Sequence, residues 1–315
     1  MQPVRIAVIG AGSFGRNHLR VLRSHPNAQL VAVVDANPDR AAAASAEFGC
    51  SAVPALGELA GTIDAAVVAV PTSAHADVGC QLIENGIDVL VEKPIASDAA
   101  SARRLVDAAR QHGRILQVGH LERFNPAVMA LRRIRTTPLF FEVHRMSVFT
   151  PRSLDVDVVL DLMIHDVDVV LSLVGCPPEE IRAAGLPILT NKVDIANVRL
   201  AFPTGCIANL TASRVSTERV RKLRVFQPSQ YITLDYQRQD LLTFTVNEGE
   251  IHCEAVSVEK SEPLKLELEA FLASVASRSA PPVTGEEGLA ALEVALDILA
   301  KIEEHAERIR EQLVR

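Results

Sequence analysis

The first 120 residues alternate short aliphatic runs with stretches of helical periodicity, and this rhythm limits the fold more than any other feature of the chain. Arg5–Gly10 (RIAVIG), Leu30–Asp35 (LVAVVD), Asp64–Val70 (DAAVVAV), Asp88–Pro94 (DVLVEKP) and Arg114–His120 (RILQVGH) are continuously apolar and rich in β-branched residues. Strands of a parallel sheet covered on both faces have this character. Between them, Phe14–Ser24, Pro38–Phe48, Ser73–Asn85 and Ser97–His112 carry helical spacing, with Ser97 placed as an N-cap and Gly113 as a C-terminal stop. Repeated strand–helix units predict a doubly wound α/β domain over residues 1–120.

From Leu121 the rhythm changes. A helix is expected after Pro126, a strand over Leu139–Arg145 and a helix over Val156–Val174. Strand candidates follow at Ile195–Phe202, Cys206–Ser213, Lys222–Phe226, Tyr231–Tyr236, Leu241–Val246 and Ile251–Ser257, with FPTGC at Phe202–Cys206 as a hairpin turn. Helices over Leu264–Arg278 and Gly288–Leu313 close the chain. The pattern predicts an α+β second domain, residues 121–315, on a mostly antiparallel open sheet.

GAGSFG supplies Gly10, Gly12 and Gly15 between a predicted strand and a predicted helix that Ser13 and Phe14 open. In that context the motif is a dinucleotide fingerprint: Gly10 permits the turn, Gly12 lets a pyrophosphate reach the backbone, and Gly15 lets helix and strand pack closely. The helix N-terminus offers N–H groups to the phosphates. Asp35 ends the second strand, where a carboxylate accepts from ribose hydroxyls and repels a 2′-phosphate, which favours NAD over NADP. Pro71, Thr72, His75, Glu92 and Lys93 stand at the carboxyl ends of later strands and are expected toward the cofactor crevice. A glycine turn without a cofactor, and a surface lysine paired with Glu92, are the plainer alternatives.

The run VDVVLDLMIHDVDVVLSLVG (Val156–Gly175) sets Asp157, Asp161, His165, Asp166 and Asp168 into an aliphatic helix. Asp161, His165 and Asp168 share one face, Asp157 extends it, and Leu160, Ile164, Val167 and Leu171 face the core. Three readings stay open: a catalytic stripe, a Mn²⁺ or Zn²⁺ site, or a solvated outer face, which is the expectation for Asp166. GHLERFNPA (Gly119–Ala127) offers Arg123 and Asn125 to a substrate, while Phe124 and Pro126 pack and start a helix. Arg214, Arg219, Arg221, Lys222 and Arg224 cluster in sequence, either as a diphosphate grip that includes Arg214 or as a solvated strand pair.

Composition narrows the classes. A net charge of −7 argues against broad nucleic-acid or anionic-membrane binding. Cys50, Cys80, Cys176, Cys206 and Cys253 are scattered and odd in number, as reduced thiols rather than a disulfide or zinc framework would be. No signal peptide or membrane span is visible, so a cytoplasmic location is expected.

Taken with VEKPIA, GHLERFNPA and DLMIHDVD, the stretch GAGSFGRNHL resembles the Gfo/Idh/MocA family over the whole chain. The resemblance implies an NAD(P)-dependent oxidoreductase with a Rossmann domain and a second domain whose open sheet forms a homodimer or homotetramer interface. It also implies Lys93 as the catalytic lysine, with Asp161 and His165 as the Asp and His of the second motif; with Lys93 to polarise the oxygen, no metal is expected. Where family members commonly carry glycines the chain has DVDVV, and Met163 replaces a small residue, differences that touch the pocket shape. In these roles His165 takes a proton from a sugar hydroxyl, Lys93 stabilises the developing alkoxide, and Asp161 orients the substrate or the other two groups. The combination of GHLERFNPAV, VLDLMIHDVDVVLSLVG and SRVS resembles a branch of the family whose members oxidise C3 of UDP-N-acetylglucosamine to a ketone, and that resemblance implies the same reaction here, with an aminotransferase taking the product toward lipid A. A free-sugar or inositol dehydrogenase, an NAD-retaining glycosidase and a non-enzymatic NAD-sensing regulator are the alternatives.

Overall fold

The structure, a computed structural model, describes residues 2–134, 137–150, 156–247 and 249–313, the last three without their side chains. Two units divide it. The first takes the chain up to Leu121 together with Glu262–Leu289; the second takes Glu122–Ser261 and the chain from Ala290 onward. The contiguous second domain expected over 121–315 is therefore corrected: the segment Glu262–Leu289 returns to the first unit.

In unit 1, β1 (Val4–Ile9), β2 (Ala28–Val34), β3 (Ser51–Ala52), β4 (Ala65–Val68), β5 (Asp88–Glu92) and β6 (Leu116–Gly119) form one sheet in the order β3-β2-β1-β4-β5-β6. Every pairing is parallel. Strand order reverses between β1 and β4, the place where such sheets open a ligand crevice at their carboxyl ends. The crossovers are α1 (Ser13–Arg23), α2 (Pro38–Phe48), α3 (His75–Glu84) and α4 (Ala99–His112). Asn37 caps α2 by accepting from the Asp39 and Arg40 N–H groups at 3.0 and 3.2 Å. Asp98, not Ser97, caps α4, accepting from the Ser101 N–H at 2.8 Å. Gly113 ends α4 in the left-handed region at φ 60°. Helix α5 (Pro126–Arg133) belongs to unit 2; the returning segment of unit 1 contains a later helix, Pro263–Ser277, whose Leu268, Phe271, Leu272 and Val275 join the core over β1 and α1.

Unit 2 is built on β7 (Phe140–Val148), β8 (Glu180–Leu186), β9 (Ile195–Ala201), β10 (Ile207–Ser216), β11 (Val220–Gln227), β12 (Gln230–Asp235), β13 (Asp240–Asn247) and β14 (Glu250–Val256). Their order is β14-β13-β12-β11-β7-β10-β9-β8, with β7 and β10 parallel and the other neighbours antiparallel. One face packs under α5, under α6 (Ile164–Val174) and under the long final helix Gly285–Leu313, named α8 below; the helix Pro263–Ser277 is α7. Phe141, Val143, Val198, Leu200, Leu210, Leu223, Val225, Ile232 and Leu234 alternate inward from the strands to form that core. Strand β8 has no counterpart among the expected elements: EIRAAGL holds a single β-branched residue. The expected helix over 156–174 opens instead as a π-helical turn, Val159–Met163, and becomes α-helical at Ile164.

Between β8 and β9, Asp194 ties a loop together. Its carboxylate accepts from the Ile188, Leu189 and Thr190 N–H groups at 2.8, 2.6 and 2.9 Å and from the Thr190 hydroxyl at 2.8 Å. Burial works to raise its pKa, but those donors outweigh it and hold the carboxyl down at about 2. A depressed carboxyl stabilises the fold above its unfolded pKa and loses that contribution as pH falls through the folded value. The stability gap between wild type and Asp194→Asn should be at least about 2 kcal/mol at pH 7. In urea unfolding at a series of pH values the gap should narrow from about pH 4 downward; a pH-independent gap would contradict this origin.

Candidate active site

The glycine turn after β1 has the shape a dinucleotide needs. Gly10 sits at φ +101°, and a Cβ there would stand 2.4 Å from the Ala69 carbonyl oxygen. A Cβ on Gly15 would lie 1.8 Å from Gly10 O, so helix and strand approach this closely only with glycine. Above Gly12, by contrast, a Cβ meets nothing within 4 Å. Gly12 is the N-cap of α1 and brings no side-chain cap, so the donors of the first turn are left for a ligand. Ser13 and Phe14 are exposed in that turn, Phe14 by 62%. These residues fit the pyrophosphate of a dinucleotide. Asp35 accepts from the Ala11 N–H at 2.7 Å and the Asn37 N–H at 2.8 Å, which fixes its carboxylate beside the turn.

Pro71 and Thr72 follow β4, next to β1 at the strand-order reversal. His75 and Glu92 are corrections to the expected set. His75 is 1% exposed, with Nδ1 2.8 Å from Pro94 O and Nε2 3.0 Å from Val70 O. Burial lowers its pKa, although the two carbonyls pull the other way, so it is a neutral strut between two strand-end loops. Glu92 turns inward to His18, with Oε1 2.7 Å from Nε2. Lys93 follows directly at the carboxyl end of β5 and is half-buried, with a cis peptide to Pro94.

In unit 2 the acidic helix divides its labour in a way that spacing alone did not show. Asp161 and His165 are half-buried, whereas Asp166 and Asp168 are each 2% exposed. Asp166 accepts a two-pronged contact from Arg145, Nε at 2.6 Å and Nη2 at 2.8 Å, so it does not solvate an outer face. Asp168 pairs with Arg123 at 3.2 Å, which takes it out of both the shared catalytic stripe and any metal set. Asp157 also leaves the stripe and accepts from the Val193 N–H at 2.8 Å. Asp161 lies in the π-helical turn and His165 in the first turn of α6; such turns recur at functional sites because they displace side chains from regular helical spacing.

The expected substrate contacts beyond this pair are structural ties. Arg123 is 3% exposed beside Asp168, and Asn125 is equally buried. Asn125 caps α5 through the Ala127 N–H at 3.1 Å and donates to the Tyr236 carbonyl at 2.9 Å. Arg214 pairs with Asp194 at 3.1 Å and donates to Val193 O at 3.0 Å. Arg224 pairs with Glu142 at 2.7 Å and Arg221 approaches Glu122 at 3.8 Å, so strand alternation and internal carboxylates disperse the supposed diphosphate cluster. Sequence reasoning missed His18 and Glu267. Each sits on an otherwise apolar helix face, and that pattern was the available signal.

Comparison with known proteins agrees with this architecture. Residues 4–120 match the model of an oxidoreductase family with an NAD-binding Rossmann fold, and residues 130–228 match a GFO/IDH/MocA C-terminal domain. The chain is 35% identical to UDP-N-acetylglucosamine 3-dehydrogenase of Acidithiobacillus ferrooxidans over 97% of its own length and 99% of the relative's. The crystal structure of that enzyme superposes with a TM-score of 0.92, covering 96% of this chain and 99% of the other. An inositol 2-dehydrogenase of Rhizobium meliloti is 28% identical, over 93% of this chain and 94% of the relative. The chain belongs to the Gfo/Idh/MocA family and is an oxidoreductase that acts on CH–OH groups with a nicotinamide dinucleotide.

Proposed function

We propose that the chain oxidises C3 of a UDP-N-acetylhexosamine, with UDP-N-acetylglucosamine as the first substrate to test and NAD as the acceptor. The observation that carries this reading is 35% identity along 97% of the chain with an enzyme named for that reaction. The bound dinucleotide supplies the hydride acceptor. His165 takes the hydroxyl proton as the hydride departs, a role supported by its partial exposure while the neighbouring Asp166 and Asp168 are committed to arginines. Lys93 donates to the same oxygen and stabilises its alkoxide character. Asp161 orients the substrate or the other two groups.

The preference for NAD rests on Asp35, whose fixed carboxylate suits ribose hydroxyls and repels a 2′-phosphate. Asp35→Ser should raise the NADP/NAD ratio of kcat/KM by about 10- to 100-fold, a change of about 1.4–2.8 kcal/mol. An unchanged ratio in initial-rate assays would sink this assignment.

The proposed assembly is a homodimer or homotetramer through the face of the unit 2 sheet that its helices leave open. That face carries a row of rings, Phe140, Phe226, Tyr231 and Phe244, with neighbouring centroids 5.8, 4.9 and 5.2 Å apart. Aromatic residues are enriched in interface cores. The ketone product is the substrate class of an aminotransferase, and the proposed setting is the cytoplasmic supply of amino sugars for lipid A. No described helix is long and apolar enough to cross a membrane.

The test is NADH formation by the full chain with NAD and UDP-N-acetylglucosamine, with hydroxylamine present to trap the ketone. UDP-glucose, free N-acetylglucosamine and myo-inositol run in parallel. NADH and an oxime with the N-acetylated nucleotide sugar alone are expected. Equal rates with myo-inositol would favour the second reading, which the similarity to inositol 2-dehydrogenase supports. Sugar release without net NADH would replace both with a redox-neutral hydrolase.

A further inference from the structure

Behind Lys93, unit 1 buries a polar cluster to which the catalytic reading gives no role. Glu92 lies across from Gly119 on β6, where a Cβ would stand 3.2 Å from Glu92 Oε2; the missing side chain makes room for the carboxylate. Its other oxygen meets His18 of α1 at 2.7 Å. Two residues earlier on β6, Gln117 is fully buried and donates through Nε2 to the backbone oxygen of Glu267 at 3.3 Å. Glu267 is 1% exposed, on the face of α7 that also carries Leu268 and Phe271. Among the described residues, three buried atoms here make no hydrogen bond: Glu267 Oε1, Gln117 Oε1 and His18 Nδ1.

Glu92 and Glu267 therefore both lie beside the same strand, β6, with 15% of the Glu92 side chain exposed and Glu267 1% exposed. Nearby carboxylates disfavour each other's ionised form, and burial disfavours it further in the drier of the two. Glu92 has His18 and Lys93 as neighbours; burial pushes its pKa up, but the His18 hydrogen bond and the Lys93 charge help bring it below the usual carboxylate range. Glu267 has no such help, and burial followed by the charge of Glu92 drives it well above that range. The groups that bear on this balance are His18 from α1, His75 at the start of α3, Lys93 after β5 and Glu267 from α7.

We propose that Glu267 is a proton-bearing positioning residue: as a neutral acid it offers an O–H to the buried acceptors around Glu92, and so holds Glu92 in the orientation that presents Lys93 to the substrate. The positioning role rests on Lys93 acting on the substrate hydroxyl. A neutral acid satisfies acceptors that a second carboxylate would repel, and an apolar side chain would leave them unmet.

Two variants of the full chain test it. The infrared difference between wild type and Glu267→Gln at pH 7 should show a protonated carboxylic acid band lost in the variant; loss of a carboxylate band instead overturns the proposal. In NADH formation from NAD and UDP-N-acetylglucosamine, Glu267→Gln, which remains a neutral donor, should keep kcat within about twofold and keep its pH profile. Glu267→Leu removes the donor, so Glu92 should protonate more readily and the acid limb of kcat should move up by about one pH unit. An unmoved limb in Glu267→Leu, or a displaced one in Glu267→Gln, overturns the positioning role. Normal turnover by Lys93→Met beside an intact infrared band would remove the Lys93 reading, and the positioning role with it, while leaving the protonation of Glu267 standing.

Discussion

Lys93→Met should lower turnover by about 10³-fold while leaving the Kd for NAD within about twofold. Methionine keeps the length and apolar stem of the side chain and removes its charge and its donors. The oxidation builds negative charge on the substrate oxygen as the hydride leaves, and a fixed cationic donor matters most at that point. The elements that fit the dinucleotide are elsewhere in unit 1: the turn at Gly10, Gly12 and Gly15, and Asp35 held by the Ala11 and Asn37 N–H groups. Fluorescence titration with NAD, beside initial rates of NADH formation, separates the two effects. Turnover within tenfold of wild type would rule out Lys93 as the polarising group. Loss of NAD binding would show that its role is to hold the dinucleotide.

The fold was legible where one period ran long enough to be read. Continuous β-branched strands and helical spacing marked the parallel sheet, and short runs between turn signals marked β9 to β14. What failed was information that lies across space. EIRAAGL has too few β-branched residues to declare an edge strand. Nothing local in the helix Pro263–Ser277 says that its apolar face covers β1 of the first unit. The site shows the same limit. Helical spacing grouped Asp161, His165 and Asp168, but the partner of Asp168 comes from the turn before α5 and the partner of Asp166 from β7. Arg145 follows Phe141 and Val143 on the inward face of its strand, so alternation alone placed a cation in the core, and a buried cation requires carboxylates nearby. Reading strand faces for misplaced charges, as well as helix faces for misplaced acids, would have separated the anchors Asp166 and Asp168 from Asp161 and His165.

Those anchors set the second large effect: Arg145→Met should destabilise unit 2 by about 3–5 kcal/mol. The side chain of Arg145 is 2% exposed. It spans Asp166 with two hydrogen bonds, donates to Glu122 at 2.8 Å and lies 5.0 Å from the centroid of the Tyr236 ring. Methionine fills much of the same volume, so the loss is electrostatic: Asp166 is left in a dry core with its forked partner gone. Arg145→Lys should also be costly, because an ammonium cannot span both carboxylate oxygens in the plane of the fork. Neutralising the stranded acid separates the origin of the loss. Arg145→Met with Asp166→Asn should recover about half of it, since the amide carries no charge to bury. Urea unfolding of the three variants measures this directly, and a single Arg145→Met costing under about 1 kcal/mol would mean that water reaches the network. Because Asp166 and Asp168 anchor the turn of α6 that directly follows His165, slackening the first anchor should also lower kcat more than it raises KM. The contribution of Arg145 to catalysis is then the fixed direction of the helix that carries His165.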